Sequence, residues 1–212
     1  MQFKNKKRLI KALCSLCCFI SIVCFAQKNL PDPCGTHGMH PSDCNRSTPT
    51  KVINDSVFPG NKFLLSKDSM SGYNWVNFKN GDKLLLVNCG CTEYTYVFQF
   101  TTSRFSADTT NYTYWYPVAA ELMAEAAVGI YKNDPIPVQQ GVDTLKSFIR
   151  QYPNKLKLNY VLFIYYSNTP NAATTYDDDD DTKGMTPHML ITRIQKKSDS
   201  EYMVEVTYSI GL

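Results

Sequence analysis

No acidic side chain precedes Asp32, although the same stretch carries Lys4, Lys6, Lys7, Arg8 and Lys11. Its apolar part, Ala12 to Phe25, is shorter than the roughly 20 apolar residues that cross a bilayer, which argues against a stable membrane span. Histidine is scarce: His37, His40 and His188 are the only three. No serine or cysteine near them forms a nucleophile-elbow motif, and no glycine-rich phosphate loop occurs. Acyl-transfer and nucleotide-hydrolysing chemistries therefore have no sequence support, and no pattern calls for a cofactor. There is no internal repeat.

The first residues do contain a basic flank, a short apolar core and small residues at alternate positions in Cys24-Phe25-Ala26. Those are the three parts of a secretory signal, with cleavage expected after Ala26 and Gln27 as the new terminus. The domain is then expected in the periplasm or outside the cell. A lipid anchor on Cys24 ranks second, because Ser21-Ile22-Val23 lacks the small residue such a cysteine usually follows. This N-terminus resembles those of proteins exported by Gram-negative bacteria, a resemblance confined to the signal.

Cleavage changes the charge. Five basic residues leave with the signal, taking 22 Lys and Arg down to 17 against 19 Asp and Glu, so the net charge turns from +3 to −2. A nucleic-acid partner needs a dense basic surface to displace counterions, and none remains. Cys14, Cys17, Cys18 and Cys24 leave too, so Cys34, Cys44, Cys89 and Cys91 are the thiols of the mature chain. In an oxidising compartment they are expected to pair. Three pairings are open to four cysteines. The favoured reading ties Cys34 and Cys44, in a proline-rich arm, to the Cys89-Gly90-Cys91 bend. The alternative is a metal site on Cys34, His37, His40 and Cys44, donors suited to tetrahedral Zn²⁺, with Met39 suiting Cu(I). A thiol-redox role for Cys89 and Cys91 belongs to the same alternative.

The chain divides into the signal (1–26), an irregular arm (27–58) and a domain (59–212). Short strands are expected over Lys62–Leu65 and Tyr73–Phe78, then a turn at Asn80-Gly81 and strands over Lys83–Asn88 and Thr92–Thr101. Tyr94, Tyr96, Phe98 and Phe100 alternate with Thr95, Val97 and Gln99, a period of two with an aromatic inner face. The period then becomes helical. Pro117 suits a first helical position, and Val118, Leu122, Ala126 and Ile130 recur at helical spacing. After a linker over Lys132–Gly141 a second helix starts near Val142–Asp143 and ends at Pro153. Leu158–Tyr166, almost continuously apolar, reads as a central buried strand. His188–Gln195 and Tyr202–Ile210 form a hairpin. Strands around a helical pair give an α+β domain, a mainly antiparallel sheet with two helices inserted between strands and packed on one face.

Two features suggest partner contact. Tyr112, Tyr114, Trp115 and Tyr116 cluster before the first helix, and tyrosine and tryptophan are enriched in interfaces; packing into the core weighs equally for them. The loop carboxylates Asp177, Asp178, Asp179, Asp180 and Asp181 repel one another, stay solvated and would attract a basic partner. Glu121 and Glu125, one helical turn apart, could project together as a hydrolase-like carboxylate pair, although on an Ala-rich helix a solvent-exposed pair is the commoner reading. The expectation is a non-enzymatic exported protein that binds another exported protein, most concretely an inhibitor or immunity-type protein.

Overall fold

Large apolar residues at every second position build a single seven-stranded sheet in the computed structural model, which describes residues 30–35, 39–164 and 186–211. The strands are β1 (Lys62–Leu65), β2 (Gly72–Asn77), β3 (Lys83–Cys89), β4 (Glu93–Thr102), β5 (Leu162–Phe163), β6 (His188–Lys196) and β7 (Tyr202–Gly211). Helices α1 (Tyr112–Ala127) and α2 (Val138–Gln151) lie between β4 and β5. The sheet order is β1-β2-β3-β4-β7-β6-β5, with every pair antiparallel. The chain thus makes a four-strand meander, a helical pair, and a return in which β7 closes against β4. This is the α+β architecture the sequence implies.

Strand parity fixes the core. Leu84, Leu86, Tyr96, Phe98, Phe100, Val204, Val206 and Tyr208 share the face under the helices and are all buried. Trp115 of α1 meets Tyr202 at 5.1 Å between ring centroids. Helix α2 comes so close that a methyl on Gly141 would lie 2.5 Å from the Tyr208 ring. The sheet therefore carries both helices on one side.

Three expected boundaries move, each for a packing reason. Helix α1 starts at Tyr112, not at Pro117, which sits inside it. The Asn111 side chain accepts from the Tyr114 amide and caps the helix, and burying Trp115 and Tyr116 offsets the hydrogen bond that an interior proline forfeits. Helix α2 starts at Val138 rather than near Val142; Gly141 reads as a breaker in sequence but serves the close approach to Tyr208. The apolar run from Leu158 is not a central strand: among the described residues only Leu162–Phe163 pairs, at the sheet edge against β6. Its burial comes instead from the end of α2, where Tyr160 stacks on Phe148 at 4.9 Å. The rest of that run, Tyr165 and Tyr166, lies outside the described residues.

The arm before β1 contains no element longer than the 3-10 turn Pro41–Asp43 among the described residues. It is fastened to the β3–β4 bend by Cys34–Cys89 and Cys44–Cys91. The amides of Asn45 and Arg46 donate to the Cys91 carbonyl. Arg46 is buried, donates to the Cys89 carbonyl and to Asn88 Oδ1 (2.7 Å), and stacks over the Tyr94 ring. Burial pulls its pKa below the usual arginine value, and Tyr94, Tyr96 and Asp134 act in the opposite direction. Gly90 turns the bend with φ +113°, and a methyl there would overlap the Glu93 carbonyl oxygen, so this position requires glycine.

Two tyrosines tie the helical layer to the rest. The Tyr96 hydroxyl on β4 donates to both oxygens of Asp134 in the interhelical turn, at 2.7 and 2.6 Å. The Tyr116 hydroxyl of α1 donates to the Lys157 carbonyl at 2.7 Å. Burial, chiefly, raises both phenol pKa values, that of Tyr116 to about 12, with Asp134 adding to the rise at Tyr96. A raised folded value means stability is intact below the unfolded pKa and is lost as pH rises above it. Since an unfolded tyrosine ionises near pH 10, stability should fall above that pH by about 1.4 kcal/mol per unit for each group. Denaturant melts at stepped alkaline pH, read with phenolate absorbance, check this. Tyr96 and Tyr116 should stay protonated in the native state at the pH where an unfolded tyrosine ionises, and full native-state titration of all tyrosines near pH 10 would contradict it.

Candidate functional site

Helix α1 is apolar on two faces, whereas a surface helix is normally apolar on one. Trp115, Tyr116, Val118, Ala119, Ala120, Leu122, Met123 and Ala126 are buried in the core, Ala120 at its border with the helix's outer side. Pro117, Ala120, Ala124 and Val128, following the helix on its other side, line a groove of about 670 Å³ shared with Ile149 of α2. Val128 is 69% exposed, by far the most of any large apolar residue described. The groove edges differ in charge: Glu121 and Glu125 stand on the α1 side, Lys146 and Arg150 on the α2 side. An apolar floor with a charged rim is the anatomy of a protein interface.

The acidic edge is held in place by Arg104, in the loop after β4. Its guanidinium reaches Asp82 (2.6 Å), Glu121 (2.9 Å) and Glu125 (2.9 Å). Asp82 is itself buried at 1% exposure. Burial works against the guanidinium charge, yet these carboxylates raise its pKa above the ordinary value. Glu125 also accepts from Asn80 at 3.0 Å. The two glutamates that resemble a hydrolytic pair in sequence are thus bound to one guanidinium. Lys146 and Arg150 make no ion pair among the described residues and are exposed.

Matched against known protein families, curated proteins and solved structures, the chain is similar to none of them.

The sequence-marked residues scatter. Trp115 and Tyr116 are fully buried, with the indole Nε1 donating to the Asp108 carbonyl at 2.9 Å. As contact residues for a partner they are corrected to core residues, because their polar atoms are satisfied inside and their rings pack on Tyr202 and Phe148. Tyr112 and Tyr114 are half-buried against the same core, and the Tyr114 hydroxyl accepts from the Ser106 amide at 3.2 Å. Asp177, Asp178, Asp179, Asp180 and Asp181 lie outside the described residues, as does His37.

The four-donor metal set does not assemble. Both of its sulfurs, Cys34 and Cys44, are committed to bridges with Cys89 and Cys91, and bridged sulfur is not a thiolate ligand. His40 turns its Nδ1 to Ser42 Oγ at 2.7 Å. Among the described residues no group of three or more His, Cys, Asp or Glu could hold a metal ion.

Sequence reasoning missed the groove, although half of its signal was legible. Pro117, Ala120, Ala124 and Val128 recur at helical spacing beside the core stripe of Val118, Leu122 and Ala126. The basic edge was not legible, since only the packing of α2 beside α1 sets Lys146 and Arg150 across from Glu121 and Glu125.

Proposed function

We propose that this chain is an exported, disulfide-braced binding protein that acts by contact with another exported protein, with the α1–α2 groove as its contact face. The observation that carries the reading is the second apolar face of α1, open to solvent and ending in the exposed Val128. The inhibitor or immunity type is its most concrete form: a small domain that works by occupying another protein's surface. Export rests on the N-terminal signal pattern, and the two bridges suit an oxidising compartment. Among the described residues no helix is long and apolar enough to cross a membrane.

The test is capture from periplasmic extract at low and high salt, with wild type beside Val128→Glu and Lys146→Glu/Arg150→Glu. Wild type should recover a stoichiometric protein. Val128→Glu should weaken capture at least about tenfold, because a charge would be buried in the contact. The double reversal should act mainly at low salt, where rim charges steer association. Equal capture by all three proteins would remove the groove from the reading; no stoichiometric partner would remove the reading itself. The metal or thiol alternative is separated by intact mass: two bridges lower it by four hydrogens, whereas four free thiols would restore it.

A further inference from the structure

The groove uses the helical side of the molecule; a second concavity, of about 550 Å³, opens on the opposite face of the sheet. Its floor is one row of side chains crossing the sheet. Thr95 of β4 pairs with Ser209 of β7, and Ser209 with His188 of β6, so the three project on the same face at neighbouring positions. Thr95 Oγ1 and Ser209 Oγ are hydrogen-bonded at 2.9 Å, and Thr95 donates to Glu93 Oε1 at 3.2 Å. Thr95 and Ser209 are buried at 5% and 3% exposure. Thr207 adds a further hydroxyl, and the arm, carrying Cys34 and Met39, forms a wall. The bridges from Cys34 and Cys44 fix that wall to the bend beside the floor. The site is thus assembled by covalent links, on a rigid sheet.

We infer that this concavity binds a small neutral polyhydroxyl ligand of the saccharide class. Its size falls within the roughly 300–1,000 Å³ of small-molecule sites. Among the described residues the lining holds no lysine or arginine, so a phosphate, sulfate or carboxylate group would be desolvated against them without a counter-charge. What it offers instead is hydroxyls that both donate and accept, an imidazole, and the Glu93 carboxylate as a two-oxygen acceptor. Hydroxyl groups of a ligand satisfy such a mixed row. Met39 and Val97 supply apolar surface for the C–H faces of a pyranose ring. His188 directs Nδ1 toward the Thr186 carbonyl at 3.3 Å, which fixes the ring and leaves Nε2 as its other polar atom.

The test uses the oxidised protein and a defined panel: glucose, N-acetylglucosamine, maltose and cellobiose as neutral probes, glucose 6-phosphate and glucuronate as anionic ones. Saturation-transfer NMR and calorimetry should give at least one neutral probe a Kd of about 1 mM or tighter, with the anionic probes at least about tenfold weaker. Glu93→Gln, at the half-exposed rim, and Thr95→Val/Ser209→Ala, which removes both partners of a buried pair and so spares the fold, should each weaken the neutral probe at least about tenfold. No binding by any neutral probe up to about 10 mM overturns the inference, as do anionic probes binding equally well or variants binding like wild type. Because this site lies on the face away from α1 and α2, its failure leaves the protein-binding proposal untouched.

Discussion

Removing one disulfide as a paired substitution, Cys34→Ser/Cys89→Ser or Cys44→Ser/Cys91→Ser, should cost about 3 kcal/mol, and removing the second a further 4 or so. The two steps differ because the bridges share a loop. Taken alone, the bridges span sequence separations of 55 and 47 residues, and closing a loop of that length in the unfolded chain is worth about 4 kcal/mol. Once one bridge exists, the other closes only the short ring through Cys34–Cys44 and Cys89–Cys91. That ring holds about a dozen residues, worth about 3 kcal/mol. Losing both would consume much of the 5–15 kcal/mol typical of a folded domain, so the quadruple variant should be marginal at 37 °C. Urea melts of wild type, both pairs and the quadruple variant measure this. The first removal costing as much as the second would mean that the bridges do not share a loop, and that the arm has little freedom to lose in the unfolded chain.

Trp115→Ala is the second large effect expected, at about 3–5 kcal/mol of lost stability. The indole is fully buried, packs on Tyr202 and Tyr114, and spends its single donor on the Asp108 carbonyl. Truncation would open a cavity between α1 and the sheet and strip the Asp108 carbonyl of that donor. The change separates two roles for the aromatic cluster. A core tryptophan lowers the unfolding midpoint and leaves partner affinity per folded molecule unchanged. A contact tryptophan would do the reverse. Thermal and chemical melts, run beside capture of the partner, distinguish them, and a variant of wild-type stability would contradict the core assignment.

The sequence left core and contact roles equally weighted for this tryptophan because it set the helix start too late, at Pro117 rather than Tyr112. Tyr112, Tyr114, Trp115 and Tyr116 precede Pro117, and proline is well suited to a first helical turn, so the aromatics look like a loop. The helix begins earlier because Asn111 caps it and because Trp115 and Tyr116 gain burial only if helical turns aim them at Tyr202 and Phe148. That gain is a tertiary quantity. Gly141 misleads in the same way: its lack of a side chain looks like a stop, yet it admits the Tyr208 ring. The Leu158–Tyr166 run shows that apolar content alone does not separate a central strand from a segment covered by a helix end.

What the sequence determined by itself is the architecture and its fastening. Tyr96, Phe98 and Phe100, alternating with Thr95, Val97 and Gln99, write a two-residue period that only a strand can satisfy. The pattern of strand runs around a helical pair leaves an α+β sheet as the outcome. The cysteines of a proline-rich arm with few apolar residues and of the Cys89-Gly90-Cys91 bend pointed to each other as partners, while the pairing of Cys34 with Cys89 and Cys44 with Cys91 and the burial of Val52 and Ile53 in the core were settled only by the tertiary structure. Local chemistry sufficed for these features, since each depends on neighbours a few residues apart or on a bond that few residues can make. The tertiary structure alone decided which side chains meet. Strand register set His188, Ser209 and Thr95 in one row, and helix packing set Lys146 and Arg150 opposite Glu121 and Glu125. Such juxtapositions join residues tens of positions apart, and no local period encodes them.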